Sequence, residues 1–178
     1  MDRGETGYEA VIAGKKGPTC SDNNIFIYRY SQLPLRLVEV KKFEFIENLK
    51  SDVMFKAYGK SLEELFINSA LALFSVICQM DKIEHKKVKV VEVKGDDLED
   101  LMFNWLQKLI GIVDTDNLFF SKFEILTMEE DGTRLKARCY GEPVTPGKGE
   151  TVAKAVTYYK YEFKKAKEGY SIRVSLDI

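Results

Sequence analysis

The sequence predicts an α+β domain in which two amphipathic helices pack on a mixed, mostly antiparallel sheet. Three observations predict it. Two stretches, beginning near Ser61 and Asp96, carry apolar residues at three-four spacing behind capping signals. Several segments alternate apolar and polar residues with the period of a half-buried strand. The turn signals Asp131-Gly132 and Lys167-Glu168-Gly169 join neighbouring strands as hairpins. No segment is expected to recur at a period of about 20 to 50 residues.

Residues 1 to 24 hold four glycines and little periodicity, which favours a loosely attached arm. Asn24 to Tyr30 reads as a strand, Leu33-Pro34-Leu35 interrupts it, and a second extended piece follows through Leu37 and Val38. The expected division is an N-terminal extension over 1–42 and one domain over 43–178. A strand from Lys42 to Ile46 leads to Asp52, after which Val53, Phe55 and Ala57 alternate. Tyr58-Gly59-Lys60 breaks that pattern. Ser61 with Glu64 three residues on is a capping box, each side chain satisfying an N–H that a first helical turn leaves orphaned.

That helix runs to about Cys78, with Leu62, Leu65, Phe66, Ser69, Leu73, Phe74 and Ile77 on one face. Lys87 to Lys94 alternates as a strand. Asp96, with Glu99 three residues later, is the expected cap of a second helix reaching about Val113, and Trp105 sits in its apolar stripe as a core anchor. Asp114 to Asn117 is expected as a polar turn, and Leu118 to Met128 pairs with the return strand Leu135 to Tyr140. Gly141 to Gly149, with two prolines, reads as an exposed loop. Val152 to Phe163 and Ile172 to Asp177 form the last pair.

Composition excludes whole classes of function. Lys and Arg number 27 against 28 Asp and Glu, so no overall basic field holds a nucleic acid. Three scattered cysteines suit a reducing compartment, and the expected location is the cytoplasm. No apolar run reaches the roughly 18 to 20 residues that span a bilayer, so no membrane is expected as a partner. One histidine, His85, cannot build a multi-histidine zinc site or find an orienting carboxylate as a base. Cys139 reads as a small buried hydrophobe. What remains is acidic: Asp52, Asp114, Asp116, Glu142 and Asp177, oxygen donors of the kind hard cations take. Alternation sets Asp177 on the face opposite Ile172, Val174 and Leu176, where it is accessible.

From about Phe43 to Ile178 the chain resembles the archease family. The resemblance rests on Ser51-Asp52 leading into Ala57-Tyr58-Gly59-Lys60-Ser61-Leu62-Glu63-Glu64-Leu65-Phe66, on Asn68-Ser69-Ala70-Leu71, and on Asn104-Trp105-Leu106. It continues through Asp114-Thr115-Asp116, Phe120-Ser121-Lys122-Phe123, Gly141-Glu142-Pro143, Lys154-Ala155-Val156-Thr157-Tyr158 and the final Leu176-Asp177-Ile178. It implies an accessory protein, not itself an enzyme, that helps the tRNA-splicing RNA ligase regain its guanylylated state for repeated turnover, touching tRNA only indirectly. It also implies a divalent cation, Ca²⁺, held by Asp52, Asp177 and Ile178. The chain departs from the family where Asp-His-Thr-Ala-Asp is replaced by Asn48-Leu49-Lys50-Ser51-Asp52, and where Tyr159 stands for a histidine. The alternative is a chaperone-like or RNA-binding module acting on tRNA or a tRNA-modifying enzyme, through the 25–30 strand and the Arg134 to Tyr140 hairpin, where aromatic and basic residues interleave.

Overall fold

The structure is a computed structural model that describes residues 25–27, 37–39, 41–48, 52–129 and 131–178. The chain divides into two compact units, 1–41 and 42–178. In the first, β1 (Ile25–Ile27) pairs antiparallel with β2 (Leu37–Glu39), Phe26 opposite Val38. The expected strand residues Asn24 and Tyr28 to Tyr30 lie outside the described residues.

In the second unit the strands are β3 (Phe43–Asn48), β4 (Asp52–Gly59), β5 (Lys87–Lys94), β6 (Leu118–Met128), β7 (Arg134–Pro143), β8 (Ala155–Ala166) and β9 (Gly169–Asp177). The helices are α1 (Leu62–Ile77) and α2 (Leu98–Asp116). The strands form two sheets, β3-β4-β9-β8 and β5-β7-β6, and every ladder among the described residues is antiparallel. Both helices touch both sheets: α1 packs on β4 and β6, α2 on β5 and β8.

That bridging position explains why α1 is buried more widely than a single stripe. Besides Leu65, Phe66, Leu73 and Phe74, it also buries Asn68, Ala70, Ala72 and Val76, because a helix with a sheet on either side has little solvent face. Trp105 on α2 is fully buried and donates its indole N–H to Phe66 O of α1 at 3.2 Å, so the two helices are locked at that point.

The two strand-to-helix connections are copies of one device. Gly59-Lys60-Ser61-Leu62-Glu63-Glu64-Leu65 is matched, position for position, by Gly95-Asp96-Asp97-Leu98-Glu99-Asp100-Leu101. Ser61 Oγ accepts from Glu64 N at 3.2 Å, and Asp97 Oδ1 accepts from Asp100 N at 2.9 Å. In return Glu64 Oε2 accepts from Lys60 N at 2.7 Å and Asp100 Oδ2 from Asp96 N at 3.0 Å. One turn on, Asn68 Nδ2 donates to Tyr58 O at 2.7 Å and Asn104 Nδ2 to Lys94 O at 3.1 Å, tying each helix to the last carbonyls of its strand. A Cβ on either glycine would lie 2.3 Å from a backbone nitrogen, of Leu65 or of Leu101.

Two expectations are corrected by this pair. A unit does recur, and the interval from Gly59 to Gly95 falls inside the range in which none was expected. The cap of α2 is Asp97 with Asp100, one residue later than Asp96 with Glu99. Further on, α2 continues through Asp114 to Asp116 and stops at Asn117, whose φ of 52° is the left-handed conformation that asparagine tolerates.

The stretch from Gly141 is also not an exposed loop throughout. β7 extends to Pro143, Gly141 pairs with both Lys87 and Phe120, and Glu142 is 3 % exposed. Around β8 the ladder jumps from Thr157 opposite Ser175 to Glu162 opposite Arg173, so Tyr158 to Tyr161 bulge outward, with Lys160 at φ 51°. Phe103 of α2 stacks on Tyr158 at 4.2 Å, and Tyr161 donates to Glu99 O at 2.7 Å, which pins the bulge to α2.

Candidate functional site

The central pair β4 and β9 brings the two ends of the domain together. Asp52, the first residue of β4, stands directly opposite Asp177, the last of β9, and Ala155 of β8 flanks Asp177 on its other side. Directly opposed residues in an antiparallel ladder project to the same face with Cβ atoms about 5 Å apart, and like charges there repel. The two carboxylates, far apart in sequence, thus share one corner of the sheet, and Asp177 keeps 45 % of its side chain exposed.

A cation of the chain already leans on this corner. Lys154, just ahead of β8, donates its backbone N–H to Asp177 O at 2.8 Å and its ammonium to Ile178 O at 2.9 Å. The ammonium also lies 3.7 Å from Asp177 Oδ1, on a side chain 61 % exposed. Lys154 is expected inside a strand beginning at Val152, but β8 begins at Ala155 and leaves Lys154 just ahead of it.

Ser175 lies on the same face as Asp177, about 7 Å along the strand, opposite Met54 and Thr157. It is fully buried and its Oγ has no hydrogen-bond partner. An orphaned hydroxyl in such a place costs about 1–3 kcal/mol. Two opposed carboxylates and the main-chain oxygen of Ile178 are oxygen donors of the kind a hard divalent cation such as Ca²⁺ takes, with water completing six to eight ligands. Side chains alone do not close a site: among the described residues no three His, Cys, Asp or Glu are placed together to hold a metal. Leu49, Lys50 and Ser51, where the chain departs from the family pattern, lie outside the described residues.

The other sequence candidates are engaged elsewhere. Asp116 is bound by Lys89 of β5 and by Thr115, which hold its carboxyl below the usual range. Glu142 is bound by Lys148, and Lys86 stands 3.4 Å away, so it is a compensated buried charge in the second sheet. Asp114 lies in the last turn of α2. His85 meets Ser121 Oγ at 3.1 Å, and Ser121 in turn donates to Ile83 O. Burial pushes the Cys139 thiol up to about 12, and burial aided by Glu150 does the same to Cys78, so neither is a thiolate nucleophile. On the hairpin, Arg134 is paired with Glu92 and Arg138 with Glu124 at 3.1 Å, which offsets the positive charge that an RNA backbone would need.

Residues 43–178, the stretch that carries this corner and both capped helices, match the profile of the Archease protein family (MTH1598/TM1083). The chain belongs to the archease family. It is 41% identical over 133 residues to Protein archease of Pyrococcus abyssi, covering 73% of this chain and 93% of that one. To Protein archease of Sulfurisphaera tokodaii it is 35% identical over 141 residues, covering 78% of this chain and all of the relative. The solution structure of Methanobacterium thermoautotrophicum Protein 1598 is 33% identical, with a TM-score of 0.66 over 77% of this chain and 99% of that one. The crystal structure of an archease from Thermotoga maritima, described as a possible chaperone, has a TM-score of 0.53 over 75% of this chain and 98% of that one; at 19% identity it bears on the archease fold alone. No helix among the described residues is long and apolar enough to cross a membrane.

Proposed function

We propose that this archease is an accessory protein of the cytoplasmic RNA ligase that joins tRNA halves, promoting the ligase's guanylylation and so its repeated turnover, with no turnover of its own. The observation that carries the reading is the register of β4 and β9, which sets Asp52 against Asp177 beside Ile178 and Lys154. Among the described residues this corner presents carboxylates and a lysine. It is a charged, accessible end of a rigid sheet, suited to contact with another protein.

Asp52, Asp177 and the main-chain oxygen of Ile178 would hold Ca²⁺, which would neutralise the opposed carboxylates and give the partner a fixed positive centre to bind. Asp52 and Asp177 then act by orientation, and Lys154 by keeping the Ile178 end of the chain against β8. A cation bound only by the folded state stabilises it, by about 2.7 kcal/mol at a hundredfold excess over its dissociation constant. Calcium is therefore expected to raise the melting temperature of the wild-type protein and not that of Asp177→Ala. An equal rise in both would remove this site from the account while leaving the ligase assay as a separate test.

A further inference from the structure

A second feature lies beside that corner, on the α1 side of the sheet. Between the carboxyl end of α1 and the β3–β4 pair runs a groove of about 630 Å³. Its apolar walls are Phe45, Val53, Val76, Met80 and Ile178, and Phe45 stands 44 % exposed at its lip. Its polar lining includes two carboxylates, Asp81 and Glu150, and no lysine or arginine among the described residues. Two lysines reach lining residues from outside and are each engaged there, Lys82 by the Gln79 side chain and Lys154 by Ile178 O.

Two features make the rim of this groove acidic. Asp81 and Glu150 are exposed at its rim. The last turn of α1, which ends here, holds no basic residue to offset the negative end of its dipole. An occupant that gains from both the walls and the field must carry positive charge on an apolar stem, which describes arginine and lysine side chains set beside leucine-like residues.

We propose that this groove docks a basic, apolar-anchored segment of a partner protein. That the partner is the RNA ligase rests on the function proposed above; the chemistry of the groove does not.

The test uses the full chain and a labelled pentapeptide alternating leucine with arginine, with a leucine–glutamate peptide as control. The expected result is saturable binding of the arginine peptide, with amide shifts concentrated at Val76 to Met80 and at Glu150 and Thr151. Asp81→Lys with Glu150→Lys is expected to weaken it at least tenfold, and Asp81→Asn with Glu150→Gln by less, with both variants folded by circular dichroism. Absence of binding, equal binding of the glutamate peptide, or unchanged affinity in the charge-reversed protein overturns the proposal. If the peptide seats in the groove but the chain does not stimulate the ligase, the partner's identity falls and the groove stands. If the ligase is stimulated and no peptide binds, the groove falls and the function stands.

Discussion

Trp105 is the single side chain on which the domain's coherence depends most. It is fully buried, its indole N–H is bonded to Phe66 O at 3.2 Å, and its ring meets Phe123 edge-on at 6.2 Å, so one residue joins α2 to α1 and to β6. Removing it as Trp105→Ala takes away the transfer energy of the ring and leaves a cavity between elements that cannot close on it, a cost of about 3–5 kcal/mol. Trp105→Phe keeps most of the volume but loses the donor, and the bond and the smaller void together cost about 2 kcal/mol. Against a total stability of roughly 5–15 kcal/mol, the alanine variant should be close to unfolding at 37 °C, while the phenylalanine variant should melt about 6 °C lower than wild type. Urea unfolding followed by far-UV circular dichroism measures both. Because Trp105 is the only tryptophan, the wild-type protein adds an independent check: its emission should be that of a buried indole and should shift to the red in the same transition. A Trp105→Ala protein within 1 kcal/mol of wild type would refute the view that this contact locks the helices.

Other outcomes follow from single features. Ser61→Ala and Asp97→Ala each remove one cap of the repeated connection and should each cost about 1 kcal/mol, additively, in chemical denaturation. Gly59→Ala and Gly95→Ala should both be more damaging than the caps, since the new methyl would stand 2.3 Å from a backbone nitrogen in either copy; a harmless substitution at one glycine would show that the two connections are not equivalent. The Glu142 carboxyl is held below its ordinary range, first by the hydrogen bond from Lys148. A lowered folded-state value stabilises above the unfolded carboxylate value of about 4.3 and loses that contribution as pH falls through the folded value. Glu142→Gln should therefore flatten the acid limb of the stability profile between about pH 5 and pH 3, read by thermal melts across that range.

Much of the architecture was legible because its signals are local. The capping box at Ser61 and Glu64, the Asp131-Gly132 turn with Gly132 at φ 73°, and the alternation of β4 all report on neighbours a few residues apart. The misplaced cap of α2 is of the same kind: Asp96, Asp97, Glu99 and Asp100 offer two registers of one box, and only the approach of Gly95 to Leu101 selects the second. The recurrence of the connection is faint in the sequence because its two copies share few identities beyond glycine, two leucines, a glutamate and an asparagine.

The candidate site was legible in a different way. Alternation left Asp177 accessible, yet nothing within either segment says that Asp52 should stand opposite it; that pairing came from the family resemblance, and the antiparallel register of β4 and β9 gives it a geometric basis. The contacts of Lys154 with Asp177 and Ile178, and the lack of a partner for the Ser175 hydroxyl, depend on which strands lie side by side, and alternation within one segment carries no such information. The prolines around Glu142 suggest an exposed loop, whereas Lys148 and Lys86 compensate its charge and allow it to be buried at the end of β7.

The most direct test of the proposed function is multiple-turnover ligation of tRNA halves by the purified cognate RNA ligase, with and without this protein, and with chelator present or absent. The account predicts that wild type sustains turnover, that chelation abolishes the effect, and that folded Asp52→Ala and Asp177→Ala proteins do not stimulate. Full stimulation by both variants would contradict it.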